Sequence, residues 1–152
     1  MVDFLKKAWS EVLHPMLQRP KRLQVAALCY RHDGDSKEVL LVSSRGTGRW
    51  ILPKGWPIDG LNAGEAALQE AWEEAGVRKG ALDSRAIGTY IYDKALDAGW
   101  SIEIETHVYP VEVEDMRDRF PESLQRRRTW VAPSVAANMV HEPGLQSILR
   151  DL

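Results

Sequence analysis

The stretch Gly55–Val77, GWPIDGLNAGEAALQEAWEEAGV, decides the reading of this chain. Glu70, Glu73 and Glu74 stand at i, i+3 and i+4, so a helix stacks three carboxylates on one face, where like charges repel. Within the segment no cation is placed to relieve them, and only Arg78, four residues beyond Glu74, is spaced to reach it. The helix is nevertheless well marked. Asn62 followed by Glu65 forms a capping box that satisfies free N–H groups at its start. Ala63, Ala66, Ala67, Leu68, Ala71 and Trp72 favour helix or pack its buried side, and Gly76 supplies the left-handed residue that stops it. Three stacked carboxylates without local counter-charge suit a hard divalent cation, Mg²⁺ or Mn²⁺. Mg²⁺ is usually held by one or two carboxylates together with substrate phosphates.

Working outward, Pro53-Lys54-Gly55 and Pro57-Ile58-Asp59-Gly60 make a punctuated loop between a strand at Trp50–Leu52 and the helix. A rigid loop followed by an acidic helix can grip a metal–pyrophosphate from two sides. A bare E-x-x-E-E would read as a solvated acidic face, but the cap, the loop and the terminal glycine at set offsets weaken that alternative. The segment resembles the Nudix box, G-x5-E-x7-R-E-U-x-E-E-x-G-U with U a large apolar residue. Gly55, Glu70, Glu73, Glu74, Gly76 and Val77 fit it, and Ala71 stands at the first U position. Leu61 stands where the first Glu is expected and Gln69 where the Arg is expected. The resemblance implies that Glu70, Glu73 and Glu74, with a backbone carbonyl at Lys54 or Gly55, hold one to three metal ions. It also implies that one of the three acts as general base, with Glu70 the choice here. In relatives the two missing groups support the metal-binding carboxylates, so metal binding is expected to persist and the rate to be the affected property.

Length and composition bound the rest. At 152 residues with 44% hydrophobic content, one compact domain with a real core is expected. A net charge of −2 gives no pull toward nucleic acid or an anionic membrane. No run of 18 apolar residues and no secretory h-region are present, so neither a membrane span nor export is expected. Cys29 is the only cysteine and sits in an apolar run, which points to a buried, inert thiol in a reducing, cytoplasmic setting. There is no defensible Ser–His–Asp arrangement, no zinc spacing, no G-x-G-x-x-G loop and no P-loop lysine.

Along the chain, Phe4, Leu5, Ala8, Trp9, Val12, Leu13, Met16 and Leu17 form one helical stripe, so residues 1–20 read as an amphipathic helix packed on the domain or on a homodimer partner. Strands are expected at 22–31, 38–44, 85–92, 102–113 and 128–131, a helix capped by Ser134 through Val140, and a last helix over 144–152. Strands between flanking helices predict a sheet sandwiched by helices. The Nudix resemblance implies the same α/β/α sandwich with a mixed β-sheet, over residues 21–152.

Leu28-Cys29-Tyr30-Arg31, Leu41-Val42-Ser43-Ser44, Arg49-Trp50-Ile51-Leu52-Pro53, Arg126-Arg127-Arg128-Thr129-Trp130 and His141-Glu142-Pro143 are similar to segments of the diphosphoinositol polyphosphate phosphohydrolases. That subfamily cleaves phosphoanhydrides in inositol pyrophosphates and diadenosine polyphosphates. The implied substrate is therefore a polyphosphorylated small molecule, and the expected binding residues are Arg22, Ser43, Ser44, Arg45, Arg49, Lys54, Arg126 and Arg128. Arginine suits phosphate because its planar fork binds two oxygens at once. Arg126 and Arg128 read equally well as a solvated basic face. Glu103 and Glu105 fall where relatives carry a basic cluster, which disfavours the inositol substrate. Trp56 could stack on a base or simply pack its loop, and His141 could line the cleft or serve as a cap. Two alternatives stay open: a nucleoside-polyphosphate or nucleotide-sugar hydrolase, and a catalytically weak Nudix-fold ligand-binding protein.

Overall fold

In the computed structural model residues 22–152 are described. The amphipathic stripe over residues 4–17 lies outside them. β1 (Arg22–Asp33) and β2 (Ser36–Ser43) make a hairpin whose two-residue turn carries Gly34 at φ 63°, the left-handed conformation such turns demand. β3 (Trp50–Ile51) pairs with β2, and β4 (Lys54–Gly55) with β1. Helix α1 (Ala63–Ala75) follows, then β5 (Val77–Leu82), β6 (Gly88–Ala95), β7 (Ser101–Met116), β8 (Arg128–Val131), α2 (Pro133–Met139) and α3 (Pro143–Arg150). The sheet order is β3-β2-β1-β7-β5, with β6 also on β7 and β8 on β2. β1 and β7 run parallel and the other described pairings are antiparallel, so the sheet is mixed as expected.

β1 shows why this sheet needs helices on both sides. Its residues from Gln24 to Cys29 are all buried, the mark of a strand covered on two faces. Val25, Ala27 and Cys29, with Leu40 and Val42 of β2, pack against α1. Ala26, Leu28, Val39 and Leu41 pack against Ala136, Ala137, Val140, Leu145 and Leu149 at the other end of the chain. The strand period of two thus sorts one sequence into two cores. Cys29 is fully buried, and burial pushes its thiol up to about 12, so it is inert.

The capping box at Asn62 and Glu65 and the left-handed Gly76 end α1 as expected. A Cβ at Gly76 would also lie 2.5 Å from the Arg117 carbonyl oxygen, so glycine is needed there for space as well as for φ. Four expectations are corrected. The helix expected from a Ser134 cap starts two residues earlier, with Ala132 at the N-cap and Pro133 in its first turn, where a missing N–H costs nothing. The strand expected from residue 85 begins at Gly88. Lys54–Gly55, read as loop, is a two-residue bridge to β1. β5 was not expected at all, since Val77-Arg-Lys-Gly-Ala-Leu lacks clear alternation. Gly80 in β5 lets the strand approach β7, because a Cβ there would meet Val111 Cγ1 at 2.6 Å. Among the described residues no helix is long and apolar enough to cross a membrane.

Candidate active site

Helix α1 lies on the sheet through Ala66, Ala67, Ala71 and Ala75, all fully buried. Small side chains on that face bring the helix axis close to β1. The adjoining face carries Glu70, Glu73 and Glu74 into a cleft of about 790 Å³, whose walls also include Ser44, Arg45, Arg49, Lys54 and Gly55. With Arg126, nine of the site residues expected from sequence therefore line one cavity. Lys54 and Gly55 reach it because β4 is pinned to β1, opposite Ala26 and Val25.

The carboxylates are held differently. Glu74 is buried, accepting the Lys54 backbone N–H at 3.0 Å and the Arg126 guanidinium at 2.9 Å. Burial still outweighs these partners and raises its carboxyl above the usual range. Glu73 accepts the Gln69 amide at 3.2 Å. Gln69 occupies the position of the expected Arg and thus still steadies a carboxylate, as a neutral donor. Glu70 makes none of these bonds and lies against Gly55, where a Cβ would meet its Oε1 at 2.3 Å. Glycine is what leaves room for that carboxylate over the backbone. Half-burial, then the charges of Glu74 and Glu73, push the Glu70 carboxyl up to about 7.

Among the described residues no three acidic, His or Cys side chains already converge in metal-ligating geometry. Glu74 is bound to the Lys54 N–H and Arg126, and Glu73 to the Gln69 amide. The site nevertheless fits a hard divalent ion. Its donors are all oxygen. Glu70, Glu73, Glu74 and Glu122 gather on one side of the cleft, where Arg126 pairs with Glu74 and Glu122 and Arg45 with Glu122, beside the partly buried Lys54. Gly55 keeps the backbone open beneath Glu70.

The remaining candidates separate. Arg126 lines the cleft but its side chain is only 5% exposed and is bound to Glu74, Glu122 and the Ser43 carbonyl oxygen. It neutralises the acidic helix from within, whereas by spacing alone only Arg78 could reach Glu74. Arg78 instead pairs with Asp115. Arg128 points away from the cleft, donating to the Ala75 and Arg117 carbonyl oxygens and to Asp118. Its charge at the C-terminal end of α1 complements the helix dipole. Ser43 is buried, its hydroxyl accepting the Arg127 N–H at 2.8 Å, and Arg22 is exposed at the start of β1; neither lines the cleft. Arg45 is tethered by Gln125 and Glu122, and Arg49 by Thr47 and His141. Trp56 stands on the cleft wall, 40% exposed, with Lys94 over its ring. Glu105 pairs with His107, and neither Glu105 nor Glu103 lines the cleft.

Sequence reasoning missed Gln24, Tyr92, Lys94, Glu122 and Glu142, which also line it. Glu122 reaches the site because its N–H is bound to the Glu73 carbonyl oxygen while the Arg117 N–H is bound to that of Gly76. The segment after β7 thus wraps the end of α1. No local pattern announces such a wrap; the only hint is a carboxylate four residues before Arg126.

Comparison with known proteins agrees with this architecture. The NUDIX domain profile matches residues 22–152. Over 121 residues the chain is 35% identical to Nudix hydrolase 21, chloroplastic, of Arabidopsis thaliana, covering 78% of this chain and 58% of that protein. Over 124 residues it is 32% identical to human diphosphoinositol polyphosphate phosphohydrolase 3-alpha, covering 79% and 71%. Among solved structures, the C. elegans Ap4A hydrolase superposes with a TM-score of 0.61 at 19% identity, covering 86% of this chain and 95% of that one. The NUDIX domain of Shewanella oneidensis NrtR, complexed with ADP ribose, gives 0.63 at 17%, covering 96% and 95%. At those identities the two structures share the fold alone with this chain. The chain belongs to the NUDIX family and is a Nudix-type hydrolase.

Proposed function

We propose that this protein is a Mg²⁺- or Mn²⁺-dependent pyrophosphohydrolase. It cleaves a phosphoanhydride in a polyphosphorylated small molecule of the diphosphoinositol polyphosphate or diadenosine polyphosphate type. The observation that carries the reading is one cavity walled by Glu70, Glu73 and Glu74 on one side and by Arg45, Arg49 and Lys54 near it. Carboxylates alone would repel a polyphosphate and cations alone would only bind it; the two together suit a metal-bridged anhydride.

In this reading Glu70, Glu73, Glu74 and the Gly55 carbonyl hold the ion. When bound, it supplies charge neutralisation at the phosphoryl oxygens and lowers the pKa of coordinated water. Arg45 and Arg49 orient the phosphate chain, with Ser44 beside them, and Lys54 adds a third cation. Burial holds the Lys54 ammonium below the usual lysine range even though Glu74 and Glu142 favour its charge. Glu70 takes the water proton, the role that the family resemblance gives to one of the three glutamates. The reading places the protein in the cytoplasm, without nucleic-acid or membrane partners.

A second reading rests on Leu61 and Gln69, which replace a charged pair of the family motif: a ligand-binding protein with weak turnover. Gln69 favours the enzyme, since it still holds Glu73. Nucleoside polyphosphates and nucleotide sugars are the runner-up substrates. The test is a phosphate-release screen with Mg²⁺ and Mn²⁺ over diadenosine polyphosphates, inositol pyrophosphates, dinucleotides and nucleotide sugars. Metal-dependent turnover of at least one is expected. Metal-dependent binding without turnover across the panel would establish the second reading instead.

A further inference from the structure

Glu142 is the one buried carboxylate of the cleft that the proposed reaction does not use. It is 8% exposed, lines the cavity, and occupies the N-cap position of α3. A side chain there normally accepts a backbone N–H of the first helical turn. This one makes no cap bond. Its Oε2 is buried without a hydrogen-bond partner, and the nearest cation to Oε1, Arg49 Nη1, stands 4.0 Å away. The Tyr92 and Arg49 donors near it are engaged elsewhere, and no hydrogen bond joins it to the Lys54 ammonium. The Tyr92 hydroxyl donates to Gln24, Arg49 Nε donates to Thr47 and Arg49 Nη1 faces His141. The Lys54 ammonium sits 4.7 Å from the Tyr92 ring centroid. A buried carboxylate that accepts nothing is costly, and such groups in native folds ordinarily find a donor. The terminal torsion of a glutamate is broad, so either oxygen can be turned to the cleft without leaving a rotamer well.

We infer that Glu142 is a specificity-determining residue that accepts a hydrogen bond from a hydroxyl or amino group on the non-phosphate part of the substrate. The inference rests on the phosphoanhydride reading above and narrows it. A phosphate carries no donor at neutral pH and brings negative charge against the carboxylate, so it is excluded from this wall. A nucleoside, with its ribose hydroxyls and base amine, supplies donors. A cyclitol phosphorylated at every hydroxyl supplies none. The rest of the wall agrees, since Trp56 offers exposed ring surface and Asp93 adds a further negative charge. The substrate class is therefore a nucleoside-bearing phosphoanhydride rather than a fully phosphorylated inositol pyrophosphate.

The test compares wild type with E142Q and E142A on diadenosine tetraphosphate and on diphosphoinositol pentakisphosphate. Wild type is expected to favour the adenosine substrate in kcat/KM by about tenfold or more. Both variants should raise KM for it by roughly tenfold to a hundredfold, the scale on which a site rejects a ligand whose polar partner is missing. Their kcat should stay within about threefold, and neither variant should lose activity on the inositol substrate. Equal losses on both substrates, or an unchanged KM, would overturn the inference. If wild type turns over neither, the phosphoanhydride reading fails, and calorimetric titration with ADP-ribose and inositol hexakisphosphate decides the inference by itself. Weaker binding of ADP-ribose alone in E142Q supports it; identical binding to wild type and E142Q refutes it.

Discussion

The two faces of the sheet are packed on opposite principles. Against α1 the contact is made by four alanines, Ala66, Ala67, Ala71 and Ala75. Against α2 and α3 two alanines, Ala136 and Ala137, are joined by larger groups, Val140, Leu145 and Leu149, with Tyr90 of β6. Alanine buries little apolar area and loses no rotamer freedom, so the α1 face contributes less transfer free energy but fixes the helix closely. Gly64 extends that pattern, since a Cβ there would stand 3.0 Å from Leu82 Cδ2. One face positions the carboxylates, and the other holds the domain together.

The largest expected break in that division is chemical. Glu73→Gln should lower metal-dependent turnover by about a thousandfold, several kcal/mol of transition-state stabilisation, while thermal melting stays near wild type. A melting temperature that falls with the activity would show that Glu73 is structural. On the other face, Leu149→Ala should cost roughly 2–5 kcal/mol in denaturant unfolding and leave kcat of the folded fraction intact. Ala71→Leu should cost about 1–3 kcal/mol by overpacking and also lower kcat, because it lifts the helix that carries the site. Equal behaviour of the last two variants would dissolve the distinction between the faces.

Gln69→Ala sharpens the comparison within α1. Losing the amide on Glu73 should weaken metal affinity by about tenfold, typical of a group that orients a ligand, with unfolding free energy nearly unchanged. The smallest effect concerns pH. In the folded metal-free protein Glu70 has its carboxyl raised to about 7 from 4.5. Between those values the native state holds a proton the unfolded chain has lost, so stability falls as pH rises through this window. After allowance for solvent screening the change is on the order of 1 kcal/mol. Glu70→Gln should flatten the slope in a melting series, and added Mg²⁺ should flatten it for wild type, since an ion binding only the native state stabilises it most where Glu70 is ionised. A rising or unchanged slope in Glu70→Gln would contradict the account.

How much of this was legible follows from the range of each interaction. The ends of α1 were readable because Asn62 and Glu65 are three residues apart and Gly76 acts on its own backbone. β1 and β2 were readable from their apolar runs. β5 was not, because what makes it a strand is pairing with residues some thirty positions later on β7, not its own pattern. The acidic triad was legible from spacing, whereas its internal counter-charge was not. Arg126 is 52 residues from Glu74, and only the wrap of the segment after β7 brings them together. Arg126 and Arg128 look alike in sequence, yet one turns into the cleft and the other caps the carbonyl end of α1. The sequence reading offers His141 as a possible cap, whereas Glu142 takes the N-cap position of α3 without a cap bond, which no local pattern announces.

The central claim is that Glu70, Glu73 and Glu74 gather around a divalent ion above Gly55. Anomalous scattering from crystals grown with Mn²⁺ and a non-hydrolysable diphosphate analogue tests it most directly. An anomalous peak within roughly 2.0–2.3 Å of oxygens from at least two of the three glutamates, and in contact with the analogue, is the result expected for an oxygen-ligated hard ion. A bound analogue with no peak between it and those side chains, the carboxylates still bound to Arg126 and Gln69, would contradict it.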